Sequence, residues 1–364
     1  MRSDVPRCPE CGVPKYISQE HTWLSDGSIV QTRFRETRIA FLESENWDPI
    51  WLSISRLIGV PIERIVIDAS RRAILGYMRQ FVTDEMREML RQGQFPLEAV
   101  FETTFELVRV AGTADPSFVD ARFEQTADDF IVIRYRNPFS VPLMVGVLAG
   151  TVESYTGRKA GVVYKKVPPD SIEVKVFEAE HLEELKGRLR LKSYHPVEGS
   201  IHLEKCAGCG APSALSKYKW DIDAGVITSS TTGRRMSLAV GPPMIDAIFS
   251  ELENELGEDV PLIAVESQRR FVRNGPYMVS EITNEDDMRR ELAVRGLGEL
   301  KYLKMGKKGV QMTLEHATMH LWVAGLTQGL YELVFGEKSE VEWELSEDAR
   351  LEVNVTPSSS LQEE

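Results

Sequence analysis

The feature that most constrains this chain is a cysteine pattern that occurs twice. The sequence contains four cysteines, and they form two Cys-x-x-Cys-Gly motifs 198 residues apart, at Cys8, Cys11 and Gly12 and at Cys206, Cys209 and Gly210. A Cys-x-x-Cys pair spans one edge of a metal tetrahedron, and the glycine lets the chain turn so that backbone N–H groups approach the sulfurs. One pair therefore supplies only half of a four-ligand site.

The repetition predicts that each motif supplies the ligands the other lacks. We expect Cys8, Cys11, Cys206 and Cys209 to bind one Zn²⁺ that joins the two halves of the chain. Four thiolates fill every position around zinc and leave none for water, so this zinc would be structural. The alternatives are an iron–sulfur cluster, a redox dithiol and plain buried cysteines. Two separate sites completed by His21 and His202 are a variant of the zinc hypothesis.

The residues that follow each motif also correspond. A tryptophan, a turn glycine and an isoleucine predict a β-hairpin in both halves, at Trp23, Gly27 and Ile29 and at Trp220, Gly225 and Ile227. Apolar residues at helical spacing before a glycine predict an amphipathic helix, at Ile50, Trp51, Ile54, Ile58 and Gly59 and at Ile248, Phe249, Leu252, Leu256 and Gly257. The shared order over most of the chain predicts a tandem duplication.

Two arginines follow an acidic residue at the same place in each half, in or beside a second helix. The motifs are Asp68-x-x-Arg71-Arg72 and Glu266-x-x-Arg269-Arg270. Because a guanidinium group binds carboxylate or phosphate with two parallel hydrogen bonds, Arg71, Arg72, Arg269 and Arg270 are candidate ligand-binding residues. The alternative is an ion pair with the preceding acid.

The predicted fold class is α/β in the α+β sense, with two pseudo-symmetric repeats. Each repeat has a zinc-knuckle hairpin followed by a domain of helices and antiparallel strands. The predicted segments are knuckle and hairpin 1–45, α/β domain 46–180, linker 181–205 with a short charged helix, second knuckle and hairpin 206–238, second α/β domain 239–355 and disordered tail 356–364. A helix is expected over 316–335, and strands at 124–136, 172–176 and 351–355.

His316 and His320 stand four residues apart, and this spacing would place both on one face of the expected helix. A haem or metal ligand, or a polar contact to a bound molecule, is one interpretation, and His316 is the candidate ligand contact. The alternative is one packed and one surface histidine.

Composition limits the partners. The net charge of −13 disfavours nucleic acid and anionic membranes. No apolar run approaches the roughly 20 residues that span a bilayer, and the chain starts without an apolar signal segment, so a cytoplasmic location is expected. We find no nucleophile motif, phosphate loop or kinase motif.

The order of motifs resembles the 4-vinyl reductase, or hydrocarbon-binding, domain family. The resemblance rests on the glycine-ended helix, the acid-x-x-Arg-Arg stretch, Tyr77 or Tyr277, and a late Ala-Gly-x-x-Glu-x-x-x-Gly motif. This last motif stands as Ala149-Gly150, Glu153 and Gly157, and it looks stretched in the second half to Ala324-Gly325, Glu332 and Gly336. The resemblance implies an α/β fold and small hydrophobic or aromatic ligands, with one branch linked to bacteriochlorophyll synthesis.

The leading hypothesis is a zinc-stabilised binding protein for a small hydrophobic, aromatic or tetrapyrrole-like ligand, without catalysis of its own. One alternative is an enzyme or accessory subunit acting on an aromatic or tetrapyrrole substrate. The other is a scaffold that imitates a homodimer and contacts a protein partner.

Overall fold

The computed structural model describes residues 5–79, 81–94, 96–124, 126, 128–179, 194–239, 241–275 and 284–358. The first half contains α1 (Lys15–Glu20), β1 (His21–Trp23), β2 (Ile29–Gln31), β3 (Arg38–Glu43), α2 (Trp47–Ile58), α3 (Glu63–Met78), α4 (Asp84–Arg91), α5 (Leu97–Val110), β4 (Asp115–Arg122), β5 (Phe130–Arg136), α6 (Val141–Thr156), β6 (Ala160–Val167) and β7 (Ser171–Glu178). The second half contains a 3₁₀ turn (Ser213–Lys217), β8 (Tyr218–Asp221), β9 (Val226–Ser229), β10 (Arg235–Ala239), α7 (Pro242–Leu256), α8 (Asp259–Arg273), α9 (Glu285–Val294), β11 (Glu299–Gly306), β12 (Gly309–Glu315), α10 (His320–Phe335), β13 (Ser339–Leu345) and β14 (Leu351–Pro357).

The fold class is confirmed, because helices pack on three antiparallel sheets. Two four-stranded sheets have the same order, β4-β5-β7-β6 and β11-β12-β14-β13. The third sheet has the order β1-β2-β3-β10-β9-β8, which is symmetrical about its central pair. In that pair Phe41 lies opposite Leu238, and Ala40 lies opposite Ala239. The arrangement of sheet and helix units is therefore repeated along the chain.

In each half one long, almost wholly buried helix packs against an amphipathic one, α6 against α3 in the first half and α10 against α8 in the second. Glycines bring these helices together, and a Cβ at Gly325 would lie 2.7 Å from Cβ of Gln268. Gly146 faces Ile67 and Ser70 of α3, and Gly325 makes the equivalent contact with Val265 and Gln268 of α8. One turn later, Gly150 faces Arg71 and Ile74, and Gly329 makes the equivalent contact with Arg269 and Val272. The partner of Gly150 is thus Gly329, 179 residues later, and not Gly325. The motif is not stretched in the second half, and that part of the prediction was wrong.

The main core runs through both halves. At the boundary between them the rings of Trp51 and Phe249 lie 5.2 Å apart, and those of Trp47 and Trp322 lie 5.0 Å apart. Trp51 and Phe249 occupy equivalent positions on α2 and α7. Aromatic burial between the halves stabilises their contact, because each such side chain removes about 150–250 Å² from water.

The hairpins are exchanged between the two halves. In the first hairpin the indole N–H of Trp23 donates to the carbonyl of Val294 at 2.9 Å, and Gly27 accepts from the N–H of Gly298 at 3.1 Å. The second hairpin rests on the first domain in the same way, because Gly225 packs directly on Ala114. The predicted boundaries stay a prediction, but each hairpin packs on the α/β domain of the other half.

The predicted elements agree with the structure except at several ends. The strand expected at 124–136 begins at Phe130, the helix expected at 316–335 begins at His320, and β14 includes Thr356 and Pro357, which the prediction gave to the tail. The remaining tail from 359 and linker residues 181–193 lie outside the described residues. Helices α4, α5 and α9 and the central strands β3 and β10 were not predicted. None of the described helices is long and apolar enough to cross a membrane.

Candidate functional site

The two cysteine motifs form matching backbone turns. In the first, the N–H of Cys8 donates to the carbonyl of Val13 at 2.9 Å, and that of Gly12 donates to Cys8 at 2.9 Å. In the second, the corresponding bonds join Cys206 to Ala211 and Gly210 to Cys206, each at 2.8 Å. Gly12 and Gly210 have φ of +73° and +76°, a left-handed conformation that glycine adopts without strain. The predicted role of these glycines is confirmed.

The four sulfurs lie together. The Sγ atoms of Cys8 and Cys206 are 3.8 Å apart, those of Cys11 and Cys209 are 3.5 Å apart, and all four lie within 4.8 Å of one another. A tetrahedral zinc ion with Zn–S bonds of about 2.3 Å separates its sulfurs by about 3.8 Å. The donor set and its spacing therefore fit one zinc ion bound by both halves. A disulfide needs about 2.05 Å between sulfurs, so these cysteines are thiols.

The local electrostatics distinguish the sulfurs. The backbone N–H groups of Cys11 and Glu10 point at the Cys8 sulfur and lower the pKa of that thiol to about 7. Burial raises the pKa of Cys11 to about 12 and also raises the pKa of Cys206. Four thiolates so close together need a cation between them, because like charges at this distance repel strongly. A bound divalent ion would supply that charge and keep all four sulfurs deprotonated.

Glu10 adds a contact between the motifs that sequence reasoning missed. Its carboxylate accepts a hydrogen bond from the N–H of Gly208 at 2.8 Å. Gly208 occupies the same place in the second motif, and a Cβ there would lie 3.1 Å from the Cys8 sulfur. A side chain therefore fits at this place in the first motif, whereas one at this place in the second motif would crowd the Cys8 sulfur.

The histidines of the two-site variant are not part of the cluster. The ring of His21 contacts the carbonyl of Ile17 through Nδ1 at 3.2 Å, and burial lowers its pKa to about 4. Among the described residues, the group of potential ligands around the sulfurs contains four cysteines and neither His21 nor His202.

The four predicted ligand-binding arginines lie in ion pairs, which was the alternative interpretation. Arg71 pairs with Asp68 and with Glu153, both at 2.8 Å. Arg269 pairs with Glu266 at 2.6 Å and with Glu332 at 2.5 Å. Arg72 pairs with Asp68 and with Glu251 of the other half, and Arg270 pairs with Glu266. A role of these arginines in ligand binding stays a prediction.

Glu153 and Glu332 are the partners that sequence reasoning missed. Each belongs to the late glycine-rich motif, and each side chain also accepts a hydrogen bond from the first residue of the following strand, Ala160 or Ser339. The signal was available, because the glutamate recurs in both halves together with the arginine.

His316 and His320 do not share a helical face. His316 precedes the helix in a left-handed conformation, with φ of +53°, and His320 is the first helical residue. The expectation of an i, i+4 pair on one helix was therefore wrong. Asn137, with φ of +52°, holds the equivalent place in the first half.

A cleft of about 430 Å³ lies beside the second cysteine motif. Its walls come from the flanks of that motif, the second hairpin and α9, and its floor includes the buried ion pair between Glu43 and Arg295. The apolar lining residues are Leu203, Pro212, Ala214, Tyr218, Met236 and Val294. Small-molecule sites commonly measure about 300–1,000 Å³, so the size suits a compact organic molecule.

In comparisons with known proteins, the chain matches no protein-family model and no curated protein. Among solved structures, it is similar to the phenol-responsive sensory domain of the transcription activator PoxR with phenol (13% identity, 46% of this chain, 89% of that chain, TM-score 0.34). It is also similar to an oxygen-binding H-NOX domain related to soluble guanylate cyclases (18% identity, 35% and 77% coverage, TM-score 0.23). Such scores describe a partial likeness of the chain path and carry no functional inference.

Proposed function

We propose that this protein is a zinc-clamped binding protein that holds a small hydrophobic or aromatic molecule without transforming it. The observation that carries the proposal is the cluster of four sulfurs, drawn equally from the two halves and lying within 4.8 Å of one another. The resemblance of each half to hydrocarbon-binding domains is part of the same proposal.

Zinc would act here as a structural ion. Cys8, Cys11, Cys206 and Cys209 would hold it, and a four-thiolate site leaves no open position for a substrate or water. The ion would fix the second cysteine motif, whose flanks form one wall of the cleft, since Leu203 and Pro212 line it. Metal binding and the shape of the cleft would then be coupled.

The cleft offers an apolar wall and a polar floor. Ring or chain atoms of a ligand would contact Tyr218, Met236 and Val294, while a hydroxyl or carboxylate could reach the charged groups near Arg295. This arrangement supports a compact molecule with a polar end and is less suited to a tetrapyrrole, which needs a wide slot around both faces of its ring.

Native-state mass spectrometry combined with elemental analysis tests the metal. The wild-type chain should carry one zinc, and Cys206→Ser should lower the zinc content at least tenfold. Glu10→Gln is the matched control, because it changes a neighbour of the sulfurs without removing a ligand, and it should keep its zinc. A wild-type chain that carries iron, or no metal, would overturn this part of the proposal.

Ligand binding is tested with a panel of phenols and short-chain fatty acids, scored by the shift in melting temperature. Ala214→Trp fills the cleft and should abolish the shift, whereas Val163→Trp, at an exposed strand position 55% accessible to solvent, should leave it unchanged. Equal shifts in both variants would place the ligand elsewhere.

An interaction scaffold is the second candidate, and one observation favours it. Two cavities of the described residues that touch the domain cores are small, about 40 Å³ beside α5 and about 10 Å³ between the halves. Protein purified without a bound molecule that shows no shift with any compound would favour this scaffold.

A further inference from the structure

A second group of potential metal ligands lies at the end of the β11–β12 pair. Glu299 and Glu315 face each other across these strands, and His316 follows Glu315 directly. One ligand atom from each of the three side chains lies within 4.8 Å of the others. Two carboxylates directly opposite each other destabilise a sheet unless a cation lies between them.

The equivalent place in the first half is balanced differently. There Asp115 faces Arg136 across β4 and β5, and their side chains pair at 2.8 Å. Arg109 also pairs with Asp115, at 2.9 Å. The second half has a carboxylate where the first has Arg136, and a histidine where the first has Asn137. The ion pair of the first half is thus replaced by three potential metal ligands in the second half.

Glu299 is held in place for such a role. Its Oε1 accepts hydrogen bonds from the N–H of Ser200 at 3.0 Å and from its hydroxyl at 2.5 Å. Its Oε2 is buried and has no hydrogen-bond partner among the described residues, and the whole residue is only 1% exposed.

Lys301 supplies the cation in this structure. Its ammonium lies 2.8 Å from Glu299 and 3.5 Å from Glu315. The side chain is 38% exposed and ends in a flexible stem, so it can swing into solvent when another cation enters. The outer side of the cluster is accessible, because Glu315 is also 38% exposed.

We propose that Glu299, Glu315 and His316 form an open binding site for a divalent transition-metal ion, separate from the thiolate cluster. One imidazole nitrogen and two carboxylate oxygens suit Mn²⁺, Fe²⁺ or Zn²⁺ better than a soft ion, whereas four sulfurs select zinc or iron. Three protein ligands leave coordination positions for water or a small anionic molecule, which the thiolate site does not offer. Lys301 competes with the metal ion for the two carboxylates.

The experiment uses Mn²⁺, which carboxylate sites bind and thiolate sites disfavour, so the zinc-loaded full chain can be titrated directly. Electron paramagnetic resonance measures free Mn²⁺. Wild type should bind one ion per chain, and Glu315→Gln and His316→Ala should each weaken binding at least tenfold. Glu352→Gln, at an exposed carboxylate of the same sheet, should bind like wild type.

Lys301→Met gives a second, independent outcome. Because the ammonium no longer competes, Mn²⁺ should bind about tenfold more tightly than in wild type. Circular dichroism should confirm that each variant is folded. Wild type that binds no Mn²⁺ at millimolar concentration, or Glu315→Gln and Lys301→Met variants that bind like wild type, would overturn the proposal.

Discussion

The two halves agree where helices touch and differ where strands end. The contact between α3 and α6 and that between α8 and α10 use glycines and an arginine–glutamate pair in the same places, at Gly150, Arg71 and Glu153 and at Gly329, Arg269 and Glu332. The strand ends instead carry Asp115 with Arg136 in one half and Glu299 with Glu315 in the other. Backbones in contact tolerate no added atoms, whereas the charges at the strand ends need only a balancing partner beside them, so the strand end is free to acquire a new role.

The largest expected effect tests the helix contacts. A Cβ at Gly150 would overlap Ile74 and the carbonyl of Arg71, whereas at Gly329 the nearest atom, Cβ of Val272, would be 2.6 Å away. Gly150→Val should therefore prevent folding, or cost more than the about 1–3 kcal/mol usual for overpacking, and Gly329→Val should cost somewhat less. Urea denaturation monitored by circular dichroism measures both.

Gly59 and Gly336 serve as controls, because a Cβ there would meet nothing within 4 Å. Alanine at either should cost only about 1 kcal/mol for the left-handed backbone. If Gly150→Val were as mild as these, the close helix contact would be wrong.

The ion pairs give the next largest effect. Arg71→Gln leaves Glu153 without its guanidinium partner, and breaking such a buried pair costs about 3 kcal/mol. Arg269→Gln should cost less, because Arg273 also lies 3.3 Å from Glu332. The double variant with Arg273→Gln should restore the full cost in the second half. Equal losses for the two single variants would show that Arg273 does not compensate.

These pairs also predict a pH dependence. Burial acts to raise the pKa of Asp68, but Arg71 and Arg72 outweigh it and lower that pKa. A lowered carboxyl pKa stabilises the fold above the ordinary value of about 4, and the contribution disappears as pH falls through the lowered value. Wild type should therefore lose more stability below about pH 4 than Arg71→Gln does, as measured by the melting temperature.

The smallest expected effect is a pH dependence of the unfolding free energy that differs between the first residues of β1 and β8. His21 is neutral in the fold because burial lowers its pKa to about 4, while Tyr218 begins the other hairpin. A lowered histidine pKa stabilises the fold above the ordinary value of about 6.5, and this stability should be lost as pH falls from about 6.5 toward 4. His21→Gln should remove this slope in the unfolding free energy, and Tyr218→Phe should leave it unchanged.

The sequence predicts the elements whose pattern is local. The helix ending at Gly59 follows from apolar spacing, and the sulfur cluster follows from ligand chemistry, because one Cys-x-x-Cys pair cannot fill a tetrahedral site. His316 shows the limit, since its stretch looks helical, but left-handed backbone at His316 (φ +53°) and at Met319 (φ +55°) separates the strand from the helix.

The missed central strand β3 has a tertiary cause. Its charged ends, Arg38 and Glu43, look like surface residues but are buried, because Arg38 donates to the carbonyl of Gly296 and Glu43 pairs with Arg295. These partners lie more than 250 residues away in the sequence. The arginine partners Glu153 and Glu332 were missed for the same reason, although both recur in the repeat.

Because each hairpin packs on the domain of the other half, neither half alone contains all the contacts that its own hairpin makes. A fragment ending near residue 180 would keep its own hairpin but lose the surface at Val294 and Gly298 on which that hairpin rests. This fragment and a second one with the rest of the chain, produced in the same cell, should recover the native assembly by complementation, with or without metal. The exchanged hairpins would hold the two fragments together, and the bound ion would further stabilise the assembled pair.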